Sequence, residues 1–395
     1  MDTLGGHGPA ARATPPRIVL FVDERGGDWH ARRLKRAFET RGADVTVACL
    51  KACAFDTSRP SGLVIPGFSP RFSLGFDPAF GPDFGQGSGP AELPDAAFVR
   101  SIGDGSLEQI TFRLGILHAL EASGVRVWNG PRAIERSVDK STATFLFQRA
   151  GIPVPATVTT EGRDRAMATM SVVGLPAVSK PMFGAQGVGI VRLDDADGLP
   201  AADDVGHVYH MQRLIEPNAW RTGPAPAPVD GLPGDGLAVS RSPAGRPRAG
   251  SSVVANDVNP NEIRHYVDWR VLVSADRVVA AMARKSTSWI TNVHQGGTPS
   301  AVTPDAEMAQ LALAAAAAVG ADYGGVDLIR DCDGRLLVLE VNSNPAWRGL
   351  QSVAGVDIAD ALARDLLAAI GADGVETAVA ETSSAWGDRP GGGPT

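Results

Sequence analysis

The segment 338–342 reads Val-Leu-Glu-Val-Asn, so a carboxylate and an amide stand two positions apart at the end of an apolar run. Side chains alternate between the two faces of a β-strand, which puts Glu340 and Asn342 on one face. Pairing across the turn 331–334 brings Asp327 to that face as well. Two carboxylates and an amide oxygen form the hard oxygen set that Mg²⁺ prefers. Two surface acids and a turn-forming Asn are the alternative interpretation, which the apolar run disfavours because burial of an unpaired carboxylate is costly.

A glycine-rich loop lies upstream of this metal-site candidate. It follows Lys180 and contains Gly184, Gln186, Gly187 and Gly189. Glycine lets backbone N–H groups approach phosphate oxygens closely, and the lysine adds a positive charge. The glycine order matches neither the Rossmann fingerprint nor the P-loop. The loop therefore predicts a flap over phosphates, with an ordinary hairpin turn as the alternative.

Three further polar features accompany the hairpin and the loop. Lys140 lies at the start of a predicted helix, and the segment 212–216 ends a predicted strand whose backbone could meet an adenine edge. Arg270, Arg284 and Asn292 belong to a polar stretch interleaved with strands. Each feature alone is equally typical of a solvated cation, a strand end or surface polarity. Their order along the chain is more specific than any one of them.

Composition excludes few classes of protein but favours a globular one. The chain has 395 residues, 44% of them hydrophobic and 21% charged, and a formal net charge of −7. That charge does not favour general nucleic-acid binding. None of the 3 cysteines forms a C-x-x-C pair, which indicates neither a disulfide framework nor a zinc site and is typical of the cytoplasm. The longest apolar run, 311–320, is too short to cross a bilayer, so no membrane segment is expected.

Periodicity predicts the elements that position these residues. Strand, helix and strand patterns over 17–50 predict an α/β unit with a parallel sheet. Longer helices are predicted over 106–123, 137–150 and 357–370. Hairpins are predicted around the glycine loop, around 275–276 and around 331–334.

The combination resembles the ATP-grasp superfamily and, within it, the RimK-like family of ribosomal-protein glutamate ligases. The resemblance covers roughly 17–370 apart from the stretch after residue 217. It implies an α/β and α+β chain in which an α/β amino-terminal (pre-ATP-grasp) domain precedes two α+β subdomains that hold ATP between them. The expected boundaries are a disordered leader 1–16, the amino-terminal domain 17–130, the small subdomain 131–211, the large subdomain 212–372 with a flexible insertion 217–261, and a disordered tail 373–395.

The resemblance also implies roles for individual residues. The nucleotide contacts would be Lys140, Lys180, Gly184, Gln186, Gly187, Gly189, Gln212, Leu214, Ile215 and Glu216. The ligands of two Mg²⁺ ions, or of Mn²⁺, would be Asp327, Glu340 and Asn342. The catalytic residues would be Arg270, Arg284 and Asn292.

The implied reaction is ATP-dependent amide formation through an acylphosphate. Its expected partners are an amino-acid amine, glutamate first, and a carboxylate acceptor that is a peptide or a one-carbon-carrier cofactor. A ligase for a dipeptide or a cell-wall precursor and a non-catalytic nucleotide-binding protein are the alternatives, and a homo-oligomer is left open. Ile290 and Gln295 replace two arginines of the family, and Arg264, Lys285 or Arg348 are candidate substitutes for these lost cations.

Overall fold

A computed structural model describes residues 14–23, 28–68, 93–184, 187–216 and 266–384, with side chains described only as far as residue 371. Gln186, Arg264 and the predicted insertion 217–261 lie outside these ranges, as do most of the leader and the last eleven positions, 385–395. No helix in the described ranges is both long and apolar enough to cross a membrane.

The amino-terminal domain is built on the predicted parallel sheet. Its larger elements are β1 (Arg17–Phe21), α1 (Trp29–Thr40), β2 (Asp44–Ala48), β5 (Ala96–Val99), α2 (Leu107–Ala122) and β6 (Arg126–Trp128), with the short strands β3 (Ala54–Phe55) and β4 (Leu63–Val64) between them. The sheet order is β2-β1-β5-β6, and each of its neighbouring pairs is parallel. Helices cover both faces, so the central strands are apolar throughout, as buried parallel strands are.

The next segment forms three helices and an antiparallel sheet. Its elements are α3 (Pro131–Val138), α4 (Lys140–Arg149), β7 (Thr157–Glu161), α5 (Arg163–Val173), β8 (Ala177–Lys180), β9 (Val191–Leu193) and β10 (Val208–Arg213). The sheet order is β7-β10-β8-β9, and the glycine loop joins β8 to β9 as predicted. The single helix predicted over 137–150 is wrong at its start. Asp139 accepts the N–H groups of Ser141 and Thr142, and this cap begins a new helix at Lys140.

A five-stranded antiparallel sheet carries the carboxyl-terminal half. Its elements are β11 (Tyr266–Ser274), β12 (Arg277–Ser286), β13 (Thr298–Val302), α6 (Ala306–Val319), β14 (Tyr323–Arg330), β15 (Leu336–Asn342), α7 (Arg348–Gln351) and α8 (Ile358–Ser384). The sheet order is β13-β12-β11-β14-β15. The alanine-rich α6 packs on this sheet together with Ala143 and Phe147 of α4, so Lys140 is carried by a helix fixed to the large sheet. The last helix continues to Ser384, well beyond the predicted end at 370.

Asn129 joins the amino-terminal domain to the large sheet. Its side chain is fully buried. The Oδ1 atom accepts the N–H groups of Asp322 at 2.6 Å and of Tyr323 at 3.0 Å, and the Nδ2 atom donates to the carbonyl oxygens of Tyr323 and Ser343. Because buried polar atoms are costly to leave unpaired, one side chain fixes both ends of the β14–β15 hairpin against β6.

Candidate functional site

A cleft separates the small antiparallel sheet from the five-stranded one. It encloses about 1010 Å³, including the solvent at its mouth. Eleven of the residues predicted to bind nucleotide, hold metal or catalyse line it: Lys140, Lys180, Gly184, Gly187, Gln212, Leu214, Ile215, Arg284, Asn292, Asp327 and Glu340. The volume suits a nucleotide-sized ligand.

Lys180 lies at the end of β8 and lines the cleft on the side of the small sheet. Its Nζ donates to Gln212 Oε1 at 2.7 Å, and the Gln212 Nε2 atom donates to Thr157 Oγ1 at 3.1 Å. Burial lowers the pKa of Lys180, although the carboxylate of Glu340 opposes this effect. The Lys180 ammonium is therefore oriented by a neutral amide, which leaves its charge for a ligand.

Lys140 approaches the flap from α4. Its Nζ donates to the carbonyl oxygens of Gly184 at 3.0 Å and Met182 at 3.4 Å. Burial lowers the pKa of Lys140, and the charges of Glu340 and Asp139 partly offset this. A cation on the large-sheet side thus holds the first residues of the flap in place.

The tip of the flap packs against the polar segment 290–295. A Cβ atom added to Gly187 would lie 2.8 Å from Gln295 Nε2 and 3.0 Å from Asn292 Oδ1. Gly187 also has a φ of 75°, which favours glycine. Both constraints require glycine at position 187. The short distance to Asn292 Oδ1 shows that this side chain lies directly beneath the flap.

The large-sheet wall of the cleft carries a row of charged side chains across four strands. Asp268 on β11 is the register partner of Arg284 on β12, and Arg270 on β11 is the partner of Asp327 on β14. Asp327 is in turn the partner of Glu340 on β15, as the hairpin pattern predicts. The Asp268–Arg284 and Arg270–Asp327 pairs have opposite charges and attract each other, whereas Asp327 and Glu340 are like charges that repel each other.

Asp327 is held by two guanidinium groups. Its Oδ2 atom lies 2.8 Å from Arg270 Nη2 and 3.0 Å from Arg284 Nη2, and its Oδ1 atom accepts the N–H of Arg270 Nε. Burial raises the pKa of Asp327, but the two arginines outweigh it and hold that pKa at about 2. Burial lowers the pKa of Arg284, whereas Asp327 and Asp268 raise it above its usual range. Asp327 and Arg284 are therefore both ionised at neutral pH.

The donor set of the hairpin fits Mg²⁺. Asp327 and Glu340 face each other on neighbouring strands, and Asn342 Nδ2 lies 3.0 Å from Glu340 Oε1, which places all three side chains together. No group of three His, Cys, Asp or Glu side chains with metal-binding geometry occurs within the described ranges. Mg²⁺ commonly takes one or two protein carboxylates and completes its shell with substrate phosphates and water, so two acids and an amide are sufficient.

Four predicted residues lie beside the cleft rather than in its lining. Arg270 is buried behind Asp327, and Asn342 lies next to Glu340. Glu216 lies 3.7 Å from Arg192 Nη2, and Gly189 stands at the base of the flap with a φ of 73°. Their predicted roles stay predictions, as do those of the residues that line the cleft.

Sequence reasoning missed several lining residues. Asp268 is the most important, because it binds Arg284 through the Nε atom at 2.7 Å and also contacts Nη2. Its position two residues before Arg270 on one strand could have revealed it, since alternate residues share a face. The apolar lining was also missed: Val178, Ile190, Trp289, Ile329 and Leu339.

Comparisons with known proteins agree with this architecture. Residues 259–366 match the model of the RimK-like ATP-grasp domain. The tetrahydromethanopterin:α-L-glutamate ligase of Methanococcus maripaludis is 31% identical over 277 residues, which cover 69% of this chain and 78% of that protein. The enzyme of the same name from Methanosarcina acetivorans is 30% identical over 284 residues, covering 67% and 78%.

Solved structures agree at the level of the fold. The ATP-grasp ligase PsnB, complexed with a phosphomimetic variant of its minimal precursor, Mg and ADP, superposes with a TM-score of 0.58 at 20% identity, covering 89% of this chain and 98% of that one. The fold is thus that of the ATP-grasp ligases, enzymes that couple ATP cleavage to bond formation. The chain belongs to the RimK-like family of these ligases and is an ATP-dependent enzyme that forms carbon–nitrogen bonds.

Proposed function

We propose that this ligase joins the amino group of glutamate to the carboxylate of a small-molecule or peptide acceptor, and that a one-carbon carrier of the tetrahydromethanopterin type is its first candidate acceptor. The observation that carries the proposal is the cleft, in which Lys140 and Lys180 face the Asp327–Glu340 pair. The relatives named for glutamate ligation support the choice of amine and acceptor.

The nucleotide would lie with its phosphates between the two lysines. Gln212 lies near the end of β10, and Leu214 and Ile215 follow it directly; all three line the cleft, where adenine would rest against their backbone. Asp327, Glu340 and Asn342 would hold two Mg²⁺ ions. When bound there, Mg²⁺ supplies positive charge next to the transferring phosphoryl group.

Activation is needed because a carboxylate is a poor acylating agent. Phosphorylation of the acceptor carboxylate by ATP gives an acylphosphate, which the amine attacks with release of phosphate. Arg284 is aimed by two aspartates and Asn292 lies under the flap, so both can stabilise the charge that develops in these steps. The flap held by Lys140 would keep water from the acylphosphate. A cytoplasmic location, expected from the cysteine pattern, remains part of this proposal.

The direct test is product analysis by mass spectrometry. The full chain is incubated with ATP, Mg²⁺, labelled glutamate and either tetrahydromethanopterin or a peptide that ends in glutamate. The proposal expects ADP, phosphate and an acceptor heavier by one or more glutamate residues, and it expects ADP only when acceptor and glutamate are both present. ATP hydrolysis that is independent of both substrates, without any adduct, would refute it.

A ligase for another pair of substrates is the second candidate. Ile290 and Gln295 stand where the family has arginines, and both lie at the flap contact with Gly187. Loss of two cations at this position favours a less anionic amine. The same incubation with an equimolar mixture of amino acids distinguishes the two, because the adduct mass identifies the amine.

A further inference from the structure

A second polar cluster lies where the amino-terminal domain meets the loop after β15. Asp28 accepts the N–H of Ala31 at 2.9 Å, and its other oxygen lies 2.7 Å from His30 Nδ1. The Nε2 atom of the buried His30 lies 3.1 Å from the backbone nitrogen of Trp347 and 3.2 Å from that of Arg348. Backbone N–H groups only donate, so Nε2 is the acceptor and Nδ1 donates its proton to Asp28.

Arg100 adds a further contact to the same loop. Its Nη2 donates to Asp28 Oδ2 at 3.0 Å, and its Nη1 donates to the carbonyl oxygen of Asn344 at 3.2 Å. Three backbone groups within 344–348 are thereby held by the amino-terminal domain. This loop begins directly after the strand that carries Glu340 and Asn342, so the cluster fixes the exit of the metal-site strand.

Three aromatic rings form a rigid platform around His30. Trp29, His30 and Trp347 pack edge to face in every pairwise combination, with ring centroids 4.8 to 5.1 Å apart. Trp347 is only 1% exposed. Edge-to-face packing at these distances is favourable for aromatic rings, so the platform is held by stacking as well as by hydrogen bonds.

Two arginines contact this platform, and they differ in one respect. The guanidinium carbons of Arg33 and Arg348 lie 5.3 and 5.9 Å from the centroid of the Trp29 ring. Arg33 is neutralised by Asp357, at 2.6 Å. Arg348 is exposed, and it forms no ion pair with any residue of the described ranges. Its backbone is clamped and its side chain rests on an indole, but its charge is not compensated there.

Arg348 also lies close to the segment where cations have been lost. A Cβ atom added to the neighbouring Gly349 would lie 3.5 Å from Val293, so the start of α7 packs on the turn 293–295. This turn contains Gln295, which replaces an arginine of the family. The residue that follows Arg348 therefore packs on the turn whose last residue contacts the flap.

We propose that Arg348 forms a carboxylate-binding subsite, with Trp29 as its platform and His30 as the positioning residue that holds its backbone. The inference rests on the proposed function, because the carboxylate belongs either to the incoming amino acid or to the acceptor. A guanidinium recognises a carboxylate through two parallel hydrogen bonds and through its positive charge. The neutral amide of glutamine lacks that charge.

The first test compares Arg348→Gln with Arg33→Gln by steady-state kinetics. Arg348→Gln is expected to raise the KM of one carboxylate substrate about tenfold, with kcat within about twofold and an unchanged KM for ATP. Arg33→Gln keeps wild-type constants. A rise confined to glutamate assigns the carboxylate to the amino acid, and a rise confined to the acceptor assigns it there. Equal constants for both variants and wild type overturn the subsite.

The second test separates positioning by His30 from general stabilisation. His30→Ala removes the acceptor for both N–H groups and should raise the same KM as Arg348→Gln, whereas His30→Gln retains an acceptor and should recover most of the affinity. If His30→Ala does not fold, Trp29→Leu removes the platform and keeps the hydrogen bonds. A loss of kcat without any change in KM for either variant contradicts the positioning role.

A direct binding measurement keeps this inference separate from the proposed function. If the wild-type enzyme ligates no glutamate, the proposed function fails. Calorimetric titration of L-glutamate, in the presence of ADP and Mg²⁺, then compares wild type with Arg348→Gln and Arg33→Gln. The same titration is repeated with a peptide that ends in glutamate as the acceptor. Weaker binding of either ligand to Arg348→Gln alone supports the subsite, and identical titrations of all three proteins with both ligands overturn it.

Discussion

The two sides of the cleft hold their cations in different ways. The flap side, which we call the lysine wall, comprises Lys180 on β8 and Lys140, which reaches the flap from α4 although that helix packs on the large sheet. Lys180 is bound by the neutral amide of Gln212 and Lys140 by two carbonyl oxygens, and neither lysine forms an ion pair within the described part of the chain. Arg270 and Arg284, on the other wall, are each bound to aspartate carboxylates. Burial lowers the pKa of both lysines, whereas the aspartates raise that of Arg284.

This difference separates two tasks that positive charge can perform. A buried cation without a counter-ion is costly, and an anionic ligand such as a phosphate removes that cost when it binds. An arginine held by two carboxylates has little net charge to offer, but its orientation is fixed. We therefore expect the lysine wall to determine nucleotide affinity and the arginine–aspartate wall to determine the rate of the chemical steps.

The largest effect is expected from Glu340→Gln. This substitution removes one charge of the Asp327–Glu340 pair and keeps the shape of the side chain. Loss of a metal-binding carboxylate should lower kcat by about 10³-fold or more. Turnover is measured as ADP release in the presence of both substrates. Glu307→Gln is the control, since Glu307 is an acid whose partner is Arg330, at 3.1 Å. An unchanged rate for Glu340→Gln would remove this residue from the metal site.

Lys180→Met tests the opposite wall. Removal of the buried ammonium should raise the KM of ATP by about 10²-fold, because a charge-assisted contact to phosphate is lost in a desolvated site. The effect on kcat should be much smaller. Initial rates at varied ATP measure both constants, and Lys51→Met, in the amino-terminal domain, serves as the control. A fall in kcat at constant KM would contradict the division between the two walls.

Asp268→Asn tests whether Asp268 and Asp327 contribute to catalysis by fixing the orientation of Arg284. Asparagine keeps one oxygen acceptor but loses the charge and the second contact, so kcat should fall about 30-fold while the KM of ATP changes less than about threefold. Asp365→Asn is a matched control, because Asp365 pairs with Arg277 of the same strand β12, at 2.7 Å. Equal losses of kcat in the two variants would indicate a stabilising rather than an aiming role.

Local patterns predicted the strand hairpin of the candidate metal site correctly. The turn signal and the two-residue period placed Asp327 opposite Glu340, and the structure has them as register partners. The same reasoning could not detect the irregularity directly after this pair, where Leu328 pairs with Val338 and Leu339 is left to line the cleft. A β-bulge depends on contacts across the sheet, and the strand sequence alone carries little sign of it.

The remaining features depend on contacts between distant parts of the chain. Arg270 and Asp327 are 57 positions apart, and His30 and Trp347 are 317 apart. Periodicity gives the face of a strand but not its partner, so the charge row was predicted as separate polar residues. The family resemblance supplied the candidate metal ligands and the two lysines predicted to contact the nucleotide. It gave Asp268 no role, and it did not show that the rings of Trp29, His30 and Trp347 pack together; both became visible only when the register and domain contacts were known.

His210 offers the smallest and most specific test of the lysine wall. It is buried on β10 with Nδ1 at 2.8 Å from Thr159 Oγ1. Burial lowers the pKa of His210 to about 3, and the charges of Lys180 and Lys140 add to this effect.

Because this pKa of about 3 is lower than the ordinary value near 6.5, the unfolded chain binds more protons than the folded chain at pH values between about 3 and 6.5. The free energy of unfolding therefore falls as the pH decreases below about 6.5. This single group should cost about 1.3 kcal/mol between pH 7.5 and pH 5.5. His210→Gln, compared with wild type by urea unfolding at both pH values, should remove that part of the pH dependence, whereas His118→Gln, at a half-buried histidine of the amino-terminal domain, should retain it. In a Lys180→Met background the pKa of His210 should rise, which NMR titration of its imidazole measures; the unfolding free energy between pH 7.5 and pH 5.5 hardly responds to that rise, because burial is the largest cause of the low pKa. An unaltered pH dependence in His210→Gln would show that this histidine is not held neutral in the folded chain, and an unaltered His210 pKa in Lys180→Met would mean that Lys180 exerts no uncompensated positive charge on it.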